Sequence, residues 1–132
     1  MPTTLPGAAD AFYAAGNQML AGDCAPYAEI WSEGDDISHL GPTGDLCTGR
    51  TAVFEQFAKE SGMGFKVTLV ADNRRFVESA EMGYMVGVER TNGMTKTGEE
   101  IPVDIRATTI FRKEACDWRV VWCVVHHHTD HF

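Results

Sequence analysis

The chain has 132 residues, enough for a single domain that buries roughly two-thirds of the surface its unfolded form exposes. Nineteen acidic residues stand against eleven basic ones for a net charge of -8, which excludes nucleic acid and anionic membrane surfaces as partners, because both demand a concentrated positive field. No run approaches the ~18 apolar residues of a membrane span, and the opening Met1-Pro2-Thr3-Thr4 has neither the basic start nor the apolar stretch of a secretion signal, so a cytoplasmic protein is expected.

From Gly7 to about Ala21, Ala8, Phe12, Ala15, Met19 and Leu20 follow helical spacing, and Gly22 supplies a stop. Asp23 is a good cap for a short second helix with Pro26 in its first turn and Tyr27, Ile30 and Trp31 on its apolar side. Gly34-Asp35-Asp36 breaks it. Ile37 to Leu40 reads as a short strand, Gly41-Pro42-Thr43-Gly44 as a turn, and Leu46 to Thr48 as the returning segment. A third helix follows from Arg50 to Ser61, with Val53, Phe54, Phe57 and Ala58 as its core stripe and Gly62-Met63-Gly64 as its end.

The period then changes. Phe65 to Val77, Glu81 to Arg90, Ile101 to Lys113 and Trp118 to His128 read as four long antiparallel strands. Helices first and strands afterwards is the α+β order, with helices on one face of an antiparallel sheet, and no linker or repeat divides the single domain spanning 1–132.

Cys24, Cys47, Cys116 and Cys123 are too few and too scattered for a disulfide scaffold, and no C-x-x-C pair points to zinc, so they read as reduced, mostly buried thiols. The glycine-rich Gly41 to Asp45 stretch lacks the lysine and context of a phosphate loop, and no Gly-x-Ser-x-Gly elbow is present.

In the last strand, strict alternation puts Trp118, Val120, Trp122, Val124, His126, His128 and Asp130 on one face, and Arg119, Val121, Cys123, Val125, His127 and Thr129 on the other. A strand apolar on both sides is covered on both, by helices on one and by a second subunit on the other, so a homodimer is expected.

These residues resemble the NTF2-like superfamily, specifically its SnoaL-like branch, which includes polyketide cyclases and relatives of ketosteroid isomerase. The resemblance rests on Phe12-Tyr13 in the opening helix, the Asp35-Asp36-Ile37-Ser38-His39-Leu40-Gly41-Pro42 segment, the strand Ile105 to Arg112, and the ending Trp122 to Asp130. One departure is that both Trp118 and Trp122 compete for the single tryptophan the family carries after its last hairpin, which leaves the Glu114 to Asp117 loop open.

The resemblance implies a cystatin-like cone whose sheet wraps a deep pocket for a small, largely apolar molecule. In that picture Phe12, Trp31, Tyr84, Thr108 and Trp122 bind the ligand, while His39, Arg106, His126 and His128 are the catalytic candidates. His126 and His128 sit two apart, a spacing open to metal ligation with His39 or Asp130, to a hydrogen-bonded rim or interface pair, or to acid–base work; the expectation taken is no metal and no cofactor. Asp104 and Arg106 share a face and read as an ion pair or as an anion-binding guanidinium, and Asp35 and Asp36 as turn formers or, for Asp36, a base.

Two functions follow as expectations: a metal-independent isomerase, cyclase or dehydratase working by proton transfer, with His39 as base and Arg106, His126 or His128 stabilising an oxyanion; or a non-catalytic dimerising or ligand-sensing module resembling kinase association domains.

Overall fold

The computed structural model describes residues 4–41, 46–64, 66–94 and 104–127. The chain opens with α1 (Leu5–Leu20), two residues ahead of the sequence expectation, because the Thr4 side chain accepts a hydrogen bond from the Gly7 amide at 3.1 Å and Pro6 fits the first turn. Gly22, with φ 111°, turns the chain. The second helix, α2 (Ala25–Ile30), is shorter than its apolar pattern, since Trp31 is already extended and bridges to Val120.

Two short strands, β1 (Ser38–Leu40) and β2 (Cys47–Thr48), precede α3 (Arg50–Ser61). Asp35 accepts from the Arg50 amide at 2.9 Å, placing a carboxylate at the helix start. Four long strands follow: β3 (Lys66–Glu78), β4 (Met82–Met94), β5 (Asp104–Glu114) and β6 (Asp117–His127). Of the expected segments, Pro42 to Asp45, Phe65, Ile101 to Val103, His128 and Asp130 lie outside the described residues.

The strands form one curved, unclosed sheet in the order β2-β1-β6-β5-β4-β3, antiparallel throughout except for the parallel β1–β6 pair. The helices cover one face. Helix α1 also guards the free edge of β3: the Asn17 amide both donates to the Leu69 carbonyl (3.1 Å) and accepts from its amide (2.7 Å), as a neighbouring strand would.

The inner face of the sheet carries Met85, Ile105, Ala107, Phe111, Trp118, Val120, Cys123 and Val125, packed with Leu5, Phe12, Tyr27, Trp31 and Phe57 from the helical side in one core. Burying it is the main stabilising term, at ~1.5–3 kcal/mol for each large apolar side chain.

Strict alternation fails in β3, where two residues between Asp72 and Arg75 stand opposite the single Gly87, and again in β6. Ile110 pairs with Trp122 but Phe111 with Val120, so Val121 is an extra residue, a β-bulge in β6. Trp118 and Val120 therefore face inward together with Cys123 and Val125, while Trp122 faces outward. The two tryptophans occupy opposite sides of the sheet.

The β5–β6 connection is a two-residue turn in which Ala115 (φ 49°) and Cys116 (φ 73°) are both left-handed, the combination that matches strand twist but favours Asn-Gly over residues with a Cβ. Cys116→Gly is expected to raise unfolding stability by about 1 kcal/mol, read as a higher denaturant midpoint; a lower midpoint would contradict the turn geometry.

Candidate functional site

The parallel pairing of β1 with β6 sets His39 opposite Cys123, and the antiparallel pairing with β2 sets it opposite Cys47. His39 thus points into the space between sheet and helices, where it is only 6 % exposed. Trp31 stands edge-on to its ring with centroids 6.0 Å apart, and Phe57 does the same at 5.0 Å. Tyr27 and Phe12 extend this wall, at 4.7 Å from Phe57 and 5.4 Å from Tyr27 respectively.

Among the described residues neither ring nitrogen of His39 has a hydrogen-bond partner, and neither does the Trp31 indole nitrogen. The Tyr27 hydroxyl is close enough to feel the indole N–H, but the two form no hydrogen bond of good geometry. Three orphaned polar atoms on two touching rings are an unusual concentration in a folded interior, where such atoms are ordinarily paired. Burial in this apolar surround pushes the imidazole down to about 4, so His39 is neutral at physiological pH.

A second polar station lies across the same interior. The Tyr13 hydroxyl donates to Glu89 Oε2 at 2.6 Å, and both groups are buried. Burial raises the Glu89 carboxyl above its ordinary range, opposed by the Tyr13 hydrogen bond, and raises the Tyr13 phenol first by burial and then by the Glu89 charge. Burial, with the Glu89 charge next, also pushes up the Cys123 thiol, which accepts from Thr109 at 4.0 Å. Glu60 of α3 is buried too, with Gln56 donating to its Oε1 at 3.3 Å.

A separate polar network closes the hairpin end. Arg112 donates to Asp36 Oδ2 (2.6 Å), Glu114 Oε2 (2.8 Å) and the Ser32 hydroxyl (2.9 Å), tying the segment after α2 to β5. Asp36, held below its ordinary range by Arg112, is thereby a structural partner on the surface.

A family model described as a SnoaL-like domain matches residues 8–129. The chain belongs to the SnoaL-like domain family. None of the curated proteins matches it. Among solved structures, an NTF2-like superfamily protein from Salmonella enterica serovar Typhimurium superposes with a TM-score of 0.82 at 14 % identity, covering 96 % of this chain and 89 % of that one. An NTF2-like family protein of Streptomyces avermitilis, named as a dehydratase, gives 0.81 at 17 % identity over 95 % and 94 %. A Thiobacillus denitrificans protein, named as a calcium/calmodulin-dependent protein kinase type II association domain, gives 0.75 at 25 % identity over 96 % of both chains. The α+β, cystatin-like architecture is shared with a Caulobacter vibrioides protein of that fold.

This SnoaL-like interior gathers Phe12, Trp31 and His39 from the residues singled out in the sequence, but not the rest. Tyr84, Arg106, Thr108 and Trp122 lie on the opposite face of the sheet: Tyr84 is 40 % exposed, and Arg106 is exposed as well. The reason is parity. In β5 the inward residues are Ile105, Ala107, Thr109 and Phe111, so Arg106 and Thr108 face out, and the Val121 bulge turns Trp122 out beside Ile110. His126 of β6 pairs through its backbone with Arg106 of β5, and His128 lies outside the described residues.

Sequence reasoning missed Tyr13, Glu89, Glu60 and Cys123. Glu89 did leave a signal, since it shares the strand parity of Met85, which is buried, and a lone carboxylate at an inward position requires a partner.

A buried histidine that stays neutral imposes a pH dependence. The unfolded chain binds the proton below about 6.5 and the folded chain only below about 4, so stability falls as pH drops through that window, by about 3 kcal/mol in total. His39→Gln is expected to remove this part of the acid sensitivity, measured as the slope of unfolding free energy against pH between 6.5 and 4; an unchanged slope would contradict the assigned burial.

Proposed function

We propose that the chain takes a small, largely apolar molecule into the interior between helices and sheet and moves a proton on it, as an isomerase, cyclase or dehydratase acting beside a carbonyl group. The observation that carries this reading is His39: a buried imidazole, neutral at pH 7, neither of whose nitrogens has a hydrogen-bond partner among the described residues. A neutral imidazole accepts a proton, and surrounding aromatic rings exclude water from the charge that develops. Glu89, whose carboxyl burial raises above its ordinary range, accepts from the Tyr13 hydroxyl and adds a second titratable group to the same interior. Phe12 and Trp31 are the walls. Proton transfer of this kind asks for no metal or cofactor.

The test uses 2-tetralone, an apolar ketone with exchangeable α-protons, in deuterated buffer followed by NMR. The protein is expected to accelerate exchange, and His39→Gln to reduce the acceleration at least about tenfold, the low end of general-base effects; no acceleration, or an equal rate in the variant, overturns the reading.

A second reading concerns the outer face, where Val77, Met82 and Tyr84 are half-exposed and, with Ile110, line a shallow groove of ≈ 190 Å³. We infer that a second copy of the chain covers this face, assigning Tyr84, Thr108, Arg106 and Trp122 to self-association instead of the pocket; the likeness to a protein named as an association domain favours the same assignment. Cys24, Cys47, Cys116 and Cys123, none of them in a disulfide, suit the reducing cytoplasm, where we place the protein. Light scattering at micromolar concentration is expected to give a dimer that Met82→Glu dissociates; a wild-type monomer contradicts it.

A further inference from the structure

The wall and the base of the interior are joined by one short stretch of chain. Seven residues, 32–38, separate Trp31 from His39, and the two rings stand edge-on with centroids 6.0 Å apart. Trp31 is anchored by its bridge to Val120, and the Ser32 amide donates to the Val120 carbonyl at 2.9 Å. His39 is anchored through the pairing of β1 with β6. Whatever fixes the turn between these anchors also fixes how the imidazole sits against the indole.

The turn is built around one guanidinium. Arg112 of β5 uses all three of its nitrogens: Nη1 and Nη2 grip Asp36 as a fork, at 2.6 Å to Oδ2 and 3.1 Å to Oδ1, Nη2 also donates to the Ser32 hydroxyl at 2.9 Å, and Nε donates to Glu114 Oε2 at 2.8 Å. The Ser32 hydroxyl donates in turn to the same Glu114 oxygen at 2.7 Å. One side chain thus holds position 32, next to Trp31, and position 36, three before His39. Gly34 lies midway, and a Cβ there would stand 2.7 Å from Asp36 Oδ1 and 3.1 Å from Arg112 Nη2, so the chain wraps closely around the guanidinium. A planar fork that meets a carboxylate with two bonds fixes direction as well as distance, which the point charge of a lysine does not. The Asp36 side chain is 65 % exposed, and an ion pair so open to water adds little to stability. Position is what the clamp supplies.

We propose, on the reading that His39 is the interior base, that Arg112 is a positioning residue for the proton transfer. By holding both ends of the 32–36 turn, it keeps Trp31 packed against His39 and water away from the imidazole. Arg112 acts through the turn and touches neither the base nor the reacting atoms. A clamp at the surface thereby takes part in chemistry carried out in the interior.

Arg112→Lys in the full chain tests this, because it keeps the positive charge and removes the fork. The variant is expected to move the NMR titration of the His39 ring from about 4 to about 5 or higher, toward the 6.5 of a solvated imidazole. Exchange of the 2-tetralone α-protons, per folded molecule, is expected to slow about tenfold. Asp36→Asn weakens the fork and leaves the Ser32 and Glu114 bonds, so it should shift both readouts the same way by less, and it decides the matter if Arg112→Lys does not fold. Arg74→Lys, at an ion pair with Asp10 of α1, is expected to leave both unchanged. A merely structural clamp would lower the denaturant midpoint while the His39 titration and the exchange rate stayed at their wild-type values; that result overturns the inference. If the wild type itself does not accelerate exchange, the proton-transfer reading falls, and the His39 titration in Arg112→Lys still decides whether Arg112 holds the ring in its dry setting.

Discussion

Beside Val121, β6 carries one residue more than β5, and the organisation of the interior depends on that extra residue. Without it, Trp118 and Val120 would face away from the helices whenever Cys123 and Val125 faced toward them. With it, four inward side chains of β6 line up under α1, α2 and the Trp31 bridge. Because β1 joins the sheet only through β6, the same register places His39 beside Cys123 and so inside the molecule.

Once His39 is inside, the rest of the site follows from dielectric arguments. Trp31 and Phe57 pack against the imidazole and burial disfavours its protonated form, so the neutral base persists at physiological pH. The same dryness keeps Glu89 protonated to higher pH and makes the Tyr13 hydrogen bond worth keeping. An acid held up and a base held down in one interior are the pairing on which proton-transfer chemistry relies. The price of the arrangement is a fold that weakens in acid.

Much of this was legible in the sequence. The third helix, Arg50 to Ser61, begins and ends where its glycine flanks place it, with Val53 and Phe57 of the expected stripe buried but Phe54 half-buried and Ala58 exposed, and the helix-then-strand order specifies the α+β sheet. Phe12 and Trp31 stood on the apolar sides of the first two helices and His39 came from the family resemblance; all three lie in the interior. What was not legible is strand parity past a bulge. An inserted residue leaves no mark in an apolar run such as Val120-Val121-Trp122-Cys123, yet it exchanges the faces of everything beyond it. Arg106 and Thr108 belong to the polar parity of β5, which faces outward, whereas the inward parity is Ile105, Ala107, Thr109 and Phe111. Glu89 was passed over because charged residues in strands are ordinarily solvated, and only its pairing with Tyr13, 76 positions away, makes its burial tolerable.

The central claim is that His39 is an interior, neutral base with no hydrogen-bond partner among the described residues. Its most direct test is an NMR titration of the imidazole Cε1 proton, assigned by comparison with His39→Gln. The account predicts that this resonance holds its neutral shift down to about pH 4. A titration near 6.5, the value of a histidine in water, would mean that His39 is solvated, and the interior site would have to be abandoned.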